Sequence, residues 1–179
     1  MTDFAKLRGS YALDMGRSQI VFVARHAMVT KVSGAFTRAT GSAVIDGERP
    51  AASSLRVDIE AGSVETGNDD RNAHLCSVDF FDVETFPSIV FVATDFAITG
   101  PDAVTVTGEL TIRDVTAPVT VPFRWDGSVG ETAGFTGSVT VSRRTWNLTW
   151  NAAIETGGVM VGDKVVLEFD VTAVRQSEA

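Results

Sequence analysis

Residues Val104–Ile112 read VTVTGELTI, and their neighbours Val119–Trp125 read VTVPFRW. In the first stretch Val104, Val106, Gly108, Leu110 and Ile112 alternate with Thr105, Thr107, Glu109 and Thr111. In the second, Val119, Val121, Phe123 and Trp125 alternate with Thr120, Pro122 and Arg124. Successive side chains of a strand point to opposite faces, so each stretch has one dry and one wet face. That pattern belongs to antiparallel sheets, because buried parallel strands are apolar on both sides.

The same period continues outward. Leu55, Val57, Ile59 and Ala61 share a face, as do Phe135, Gly137, Val139 and Val141, and Val165, Leu167, Phe169 and Val171. Gln19–His26 reads as a strand with Ile20, Phe22, Ala24 and His26 on one side. Val29–Asp46 reads as one long strand or a pair, with Gly34 and Gly41 as bend points. Ile89–Ile98 adds a strand with Ile89, Phe91 and Ala93 inward. The total is about eight strands, and closing them into a barrel removes exposed edges. Thr66–Phe81 breaks the rhythm: Asn68, Asp69 and Asp70 are possible caps for a short helix through Leu75, within a crossover that ends near Pro87. Pro101 falls at a turn and Pro118 at an edge or strand start, and Gly157–Gly158 is a turn signal. These readings make the fold all-β, one domain over residues 9–174, with frayed ends at Met1–Arg8 and Arg175–Ala179.

Composition narrows the function. The 179 residues are 44% apolar and 21% charged, and 15 basic against 23 acidic side chains give a net charge of −8. So acidic a surface repels phosphate backbones, which disfavours nucleic acid. The single cysteine, Cys76, excludes an intrachain disulfide framework. No run of about 18 apolar residues predicts a membrane-spanning helix. The first twenty residues carry no apolar leader core, so the expected compartment is the cytoplasm.

Enzyme signatures are sparse. The chain has two histidines, His26 and His74, and lacks HExxH, EF-hand, GxSxG and Walker A patterns, so no metal site or required cofactor is expected. Asp70, Asp79 or Asp82 could be drawn around His74, but acidic loops usually solvate or cap. Cys76 lies two residues from His74, and on a helix such residues do not face each other. What stands out is the aromatic set of eleven Phe and three Trp with one Tyr. Phe22, Phe91, Phe123, Trp125, Phe135 and Phe169 fall on dry faces, and an eight-stranded barrel either fills with side chains or holds one ligand. Two polar residues continue dry faces. Arg143 reads as a structural ion pair or a headgroup contact, and His26 as a histidine satisfied by a carbonyl or carboxylate, unless both sit where the strands reach solvent.

Four stretches, DMGRSQIVFVARH (14–26), RNAHLCSVDFFDVETFPSIVF (71–91), GELTIRDVTAPV (108–119) and LTWNAAIETGGVMVGD (148–163), resemble the YceI-like family of polyisoprenoid-binding proteins. The resemblance runs from about Ser10 to Val174, and HL-x-S-x-DFFD-x-E-x-x-P with G-x-LTIR-x-VT is a specific combination. It implies an eight-stranded antiparallel lipocalin-like barrel with a helical crossover. The barrel would enclose an apolar tunnel for a long isoprenoid, of quinone or polyprenyl phosphate type, generally in a dimer. Carrier or reservoir is then the leading function, and an enzyme using a histidine acid–base or a filled structural barrel are the alternatives. The tunnel wall would comprise Phe22, His26, Phe36, Ile59, Leu75, Phe80, Phe81, Phe91, Leu110, Ile112, Phe123, Trp125 and Phe135, with Arg71, His74, Arg143 and Trp146 near its end. The chain departs from the family pattern at three places. Asn72 replaces an acidic residue, and Asp114 replaces a turn glycine, where an aspartate can adopt the left-handed conformation at some cost. Thr145-Trp146-Asn147 stands where Asp-Phe-Gly is common, which would free Arg143 for a ligand and let Trp146 narrow the tunnel.

Overall fold

A computed structural model describes residues 4–27, 29–153 and 160–177. Its strands are β1 (Arg8–Leu13), β2 (Gln19–His26), β3 (Thr30–Phe36), β4 (Ala39–Asp46), β5 (Ser54–Glu60), β6 (Val64–Glu65), β7 (Ser88–Gly100), β8 (Ala103–Ile112), β9 (Val115–Val129), β10 (Thr132–Ser142) and β11 (Val161–Arg175). The helix α1 is Asp69–Cys76. Every strand pairing is antiparallel.

Three pairs of short strands act as interrupted staves. β1 and β2 both pair with β11, and they pair on their other side with β4 and β3. A single turn of 3₁₀ helix at Met15–Arg17 separates them, capped by the Asp14 carboxylate. β3 and β4 break at Thr37–Arg38, and β5 and β6 at Ala61–Ser63. With β7 to β11 this makes an eight-stave barrel, closed where Tyr11, Ala12 and Leu13 pair with Arg175, Val174 and Ala173. The long reading of 29–46 therefore holds as one stave, but its break lies elsewhere than at Gly34 or Gly41. It occurs where the Ser63 carbonyl and hydroxyl take the N–H groups of Thr37 and Arg38 in place of ladder partners. Pro118 and Pro122 lie inside β9, in the part that has β8 alone as ladder neighbour, since β10 pairs only with Phe123–Val129. A missing N–H costs little there.

Chain direction sorts the loops into two ends. The upper end carries the β2–β3 hairpin, the crossover with α1, the β8–β9 turn and the segment after β10. The lower end carries the N-terminal residues and the β7–β8 and β9–β10 turns. Asn68 caps α1 through Oδ1, which accepts the Arg71 N–H at 3.0 Å. The helix stops at Cys76, one residue beyond the expected Leu75, where Ser77 bonds the His74 carbonyl through both its N–H and its hydroxyl. In the β8–β9 turn the left-handed residue is Arg113 (φ 55°), not Asp114.

The N-terminal stretch is not frayed over its described part. Phe4–Lys6 forms a 3₁₀ turn, Phe4 and Leu7 are buried, and Arg8 opens β1. The Phe4 N–H donates to the Pro101 carbonyl at 2.7 Å, and the Phe4 ring stands edge-on to Trp125 and Phe135. Gly47 is needed here, since a Cβ on it would lie 2.0 Å from the Phe4 carbonyl oxygen. At the other terminus Arg175 belongs to β11, and the Gln176 N–H reaches the Ser10 carbonyl. The Gly157–Gly158 turn signal lies outside the described residues. No helix among the described residues is long and apolar enough to cross a membrane.

Phe4 is buried where the N-terminal turn packs against the lower end of the barrel. Phe4→Ala is expected to lower unfolding free energy by about 3–5 kcal/mol, as for other buried phenylalanines. Chemical denaturation of the variant beside the parent protein checks this.

Candidate functional site

The barrel is hollow. A cavity of about 730 Å³ runs from the Phe4 floor, past the inward faces of the staves, to an opening framed by β2, α1 and the segment after β10. Its wall is made almost wholly of aliphatic and aromatic side chains. Val104, Val106, Leu110, Val119, Val121, Leu167 and Phe169 come from the alternating faces legible in the sequence. A bulge between Ala93 and Asp95 shifts the alternation in β7, so that Phe96 also lines the wall.

Large aromatic residues leave the lumen open because they lie against glycines on neighbouring strands. Gly34 is the cross-strand partner of Phe22, and a Cβ there would fall 2.2 Å from the Phe22 Cζ. Gly108, the partner of Ala93 and so a diagonal neighbour of Phe91, would place a Cβ 2.4 Å from the Phe91 Cζ, and Gly137 one 2.7 Å from Cδ1 of its partner Phe123. Each ring occupies the volume a neighbouring side chain would take, which is the aromatic rescue of a strand glycine. Gly34 is thus a seat for Phe22 rather than a bend.

At the upper end Arg143 is 5% exposed and fully engaged. Its Nε donates to the Gly162 carbonyl at 2.9 Å and Nη2 to Val161 at 3.1 Å. Nη1 donates to Trp150 at 2.9 Å and also to Leu148. Asp163 stands 3.7 Å from Nη2 and is shared with Arg144. Burial lowers the Arg143 pKa, and Asp163 opposes that shift. The guanidinium ties the chain after β10 to the start of β11, where β11 has two more residues than β2 between paired positions. It is not free for a ligand: four carbonyls and Asp163 replace the carboxylate missing at Thr145. Trp146 is buried beside it with Nε1 donating to the Leu110 carbonyl at 2.8 Å, and Asn147 takes the left-handed conformation (φ 58°) that a glycine would otherwise supply.

Arg71 and His74 at the mouth are also committed. Arg71 donates to the Thr66 hydroxyl and carbonyl, and Asn72 accepts from Thr66 while donating to Glu65. The His74 Nε2 lies 2.9 Å from Asp79 Oδ2, with the imidazole edge-on to Trp150 and Phe80. His26 ends β2, exposed at the rim, and its ring has no hydrogen-bond partner among the described residues. The solvent-reaching alternative for His26 is therefore the one realised. Cys76 is half-buried, and burial pushes its thiol above the usual range. No group of three or more metal-ligating side chains converges among the described residues.

Of the residues picked from sequence for the wall, Phe22, His26, Phe36, Ile59, Leu75, Phe80, Phe81, Phe91, Leu110, Ile112, Phe123, Phe135, Arg143 and Trp146 line the cavity. Trp125 does not. Phe4 inserts at the floor and covers the indole, which packs in the lower cluster with Leu7, Tyr11 and Ile45. Sequence reasoning missed Phe4, Tyr11, Ile45, Trp150 and Met160 as lining residues. Tyr11 and Ile45 carried a weak period-two signal, whereas Trp150 and Met160 lie in irregular chain with none. Arg113 was also missed: its Nη1 donates to the Val78 and Phe80 carbonyls at 3.2 Å, and its guanidinium sits over Phe86, pinning the crossover above the mouth.

Comparison with known proteins agrees with this architecture. Residues 11–173 match the model of the YceI-like domain. A UPF0312 protein of Staphylococcus epidermidis is 32% identical over 166 residues, covering 88% of this chain and 93% of the relative. UPF0312 proteins of Pseudomonas putida are 34% identical over 116 residues, and that match spans 60% of their length. The crystal structure of Burkholderia cenocepacia BcnA superposes with a TM-score of 0.81 at 28% identity, over 90% of this chain and 99% of that one. A polyisoprenoid binding domain from Saccharophagus degradans, implicated in plant cell wall breakdown, gives 0.74 at 16% identity over 93% and 98%, a likeness of fold alone.

Two outcomes test the site's construction. Arg143→Met should orphan carbonyls at about 1–3 kcal/mol each and so cost at least about 3 kcal/mol of stability, read from denaturant midpoints. Cys76 should react with a disulfide reagent at pH 8 several-fold more slowly than a free thiol, because burial leaves less of it as thiolate.

Proposed function

The chain belongs to the YceI-like family, and on that premise we propose that it binds a long isoprenoid-type lipid in its barrel as a carrier or reservoir. The observation that carries this reading is the hollow, apolar lumen of about 730 Å³, closed below by Phe4 and open above. A wall so apolar offers water few hydrogen-bond partners, and an apolar guest there gains about 25 cal/mol per Å² buried. It is about five times the 150 Å³ cavity that accepts one benzene ring, so on the order of five isoprene units fit.

The committed state of the mouth argues for an uncharged headgroup. Arg143, Arg71 and Arg113 already serve backbone carbonyls, so a phosphate drawn past the rim, where Arg25 borders the cavity, would meet no uncommitted guanidinium among these three. A quinone or alcohol asks only for single donors, which favours the quinone type over polyprenyl phosphate. A catalytic reading has one observation in its favour: the His74–Asp79 pair beside the lumen resembles the carboxylate-oriented imidazole of general bases.

Organic extraction of the purified protein with mass spectrometry, beside native mass spectrometry of the intact complex, tests the reading. About one equivalent of an uncharged isoprenoid is expected, recovered unchanged after incubation. No ligand and no uptake of added polyprenyl lipid would sink it, and conversion of the lipid that His74→Gln abolishes would establish the enzyme instead. Gly34→Val should push Phe22 into the lumen and Leu110→Trp should fill it directly. Both should reduce bound lipid by about tenfold or more while the barrel stays folded.

A further inference from the structure

The β2–β3 hairpin at the mouth differs in charge from the rest of this acidic protein. Between Asp14 and Asp46 the sequence has no acidic residue, while it carries Arg17, Arg25, Lys31 and Arg38 with His26. Its tip reads RHAMVTK over residues 25–31, apolar in the middle and basic on both sides. Val29 is 77% exposed, and Arg25, His26 and Lys31 are exposed around it.

Register sharpens the point. Arg25 and Lys31 are directly opposite each other across the hairpin. Like charges so placed destabilise a strand pair unless an anion comes between or beside them. Neither meets a carboxylate among the described residues, whereas exposed arginines elsewhere do: Arg17 meets Asp14, Arg38 meets Glu60, Arg56 meets Asp58 and Arg144 meets Asp163. Phe22, Ala24 and His26 alternate into the lumen, so the Arg25–Lys31 pair stands on the alternate, outer side of the rim, with Arg25 at the border of the cavity and Lys31 beyond it.

We infer that this hairpin docks the barrel mouth on an anionic lipid surface, with Val29 entering the interface and Arg25 and Lys31 meeting lipid phosphates. The net charge of −8 does not forbid this. The Debye length is about 8 Å at physiological ionic strength, so the hairpin feels the surface it touches more than acids at the far end of the barrel. Each basic side chain at such a surface contributes roughly fivefold to partitioning. His26 and Arg25 border the cavity, so docking here would set the opening against the bilayer from which an apolar guest must come.

Vesicle flotation tests the inference, with vesicles of phosphatidylglycerol or phosphatidylcholine that contain no isoprenoid, so the result is read independently of what the cavity holds. The protein should float with phosphatidylglycerol and not with phosphatidylcholine, and should be released near 1 M salt, where the Debye length falls to about 3 Å. Arg25→Gln with Lys31→Gln should weaken partitioning roughly 25-fold. Val29→Asp should abolish it, while Arg56→Gln, a charge change away from the mouth, should leave it unaltered. All these positions are exposed, and an unchanged melting temperature confirms folding. Absence of flotation with phosphatidylglycerol, equal flotation with both lipids, or hairpin variants that float like the parent would overturn the inference. A dimer in light scattering that Val29→Asp disperses, without vesicle binding, would assign the hairpin to a second copy of the chain.

Discussion

Closure of the sheet on β11 is the constraint on which the other features depend. β11 is long enough to hold β10 along one side and both β2 and β1 along the other. A free edge there would leave a row of unpaired backbone groups, and the inward faces would have no opposite wall to meet. Once the ring is closed, every dry face legible in the sequence points into one shared volume. The interruptions at Met15–Arg17, Thr37–Arg38 and Ala61–Ser63 let three staves bend without losing their pairing partners.

A closed barrel of eight staves can still be solid. Here the lumen is held open because Phe22, Phe91 and Phe123 lie over Gly34, Gly108 and Gly137 on the neighbouring strands. The rings pack against backbone instead of against each other across the axis, so much of the aromatic surplus becomes wall. Phe4 supplies the only deep plug described, and it enters from below. The result is a vessel with a floor and a mouth, and its capacity follows from which glycines sit beside which rings.

The mouth is built from arginines used as structural clamps. Arg143 gathers carbonyls from the irregular segment after β10 and from the start of β11, and Arg113 takes those of the crossover after α1. Neither segment has a ladder to satisfy its carbonyls, so a rigid fork of donors stands in for one. Basic side chains at the entrance thus define the shape of the opening, and the hairpin bearing Arg25 and Lys31 is left as the part of the rim with charge to offer a partner.

Much of this architecture was legible before any coordinates. Period-two alternation determined the strands, their inward residues and the antiparallel pairing. The Asn68 cap marked the start of α1, and the motif around residues 71–91 pointed to the family. These are local properties, written in neighbouring residues and read at that range. What only the tertiary structure decided is where distant segments meet. Trp125 has the periodicity of a wall residue but is covered by Phe4, more than a hundred positions away in sequence. Arg143 lacks its nearby carboxylate but finds carbonyls at Leu148, Trp150, Val161 and Gly162. Whether the barrel is hollow rests on a ring on one strand lying over a glycine on the next. Alternation specifies which face a side chain takes, but only the pairing register specifies what lies opposite it.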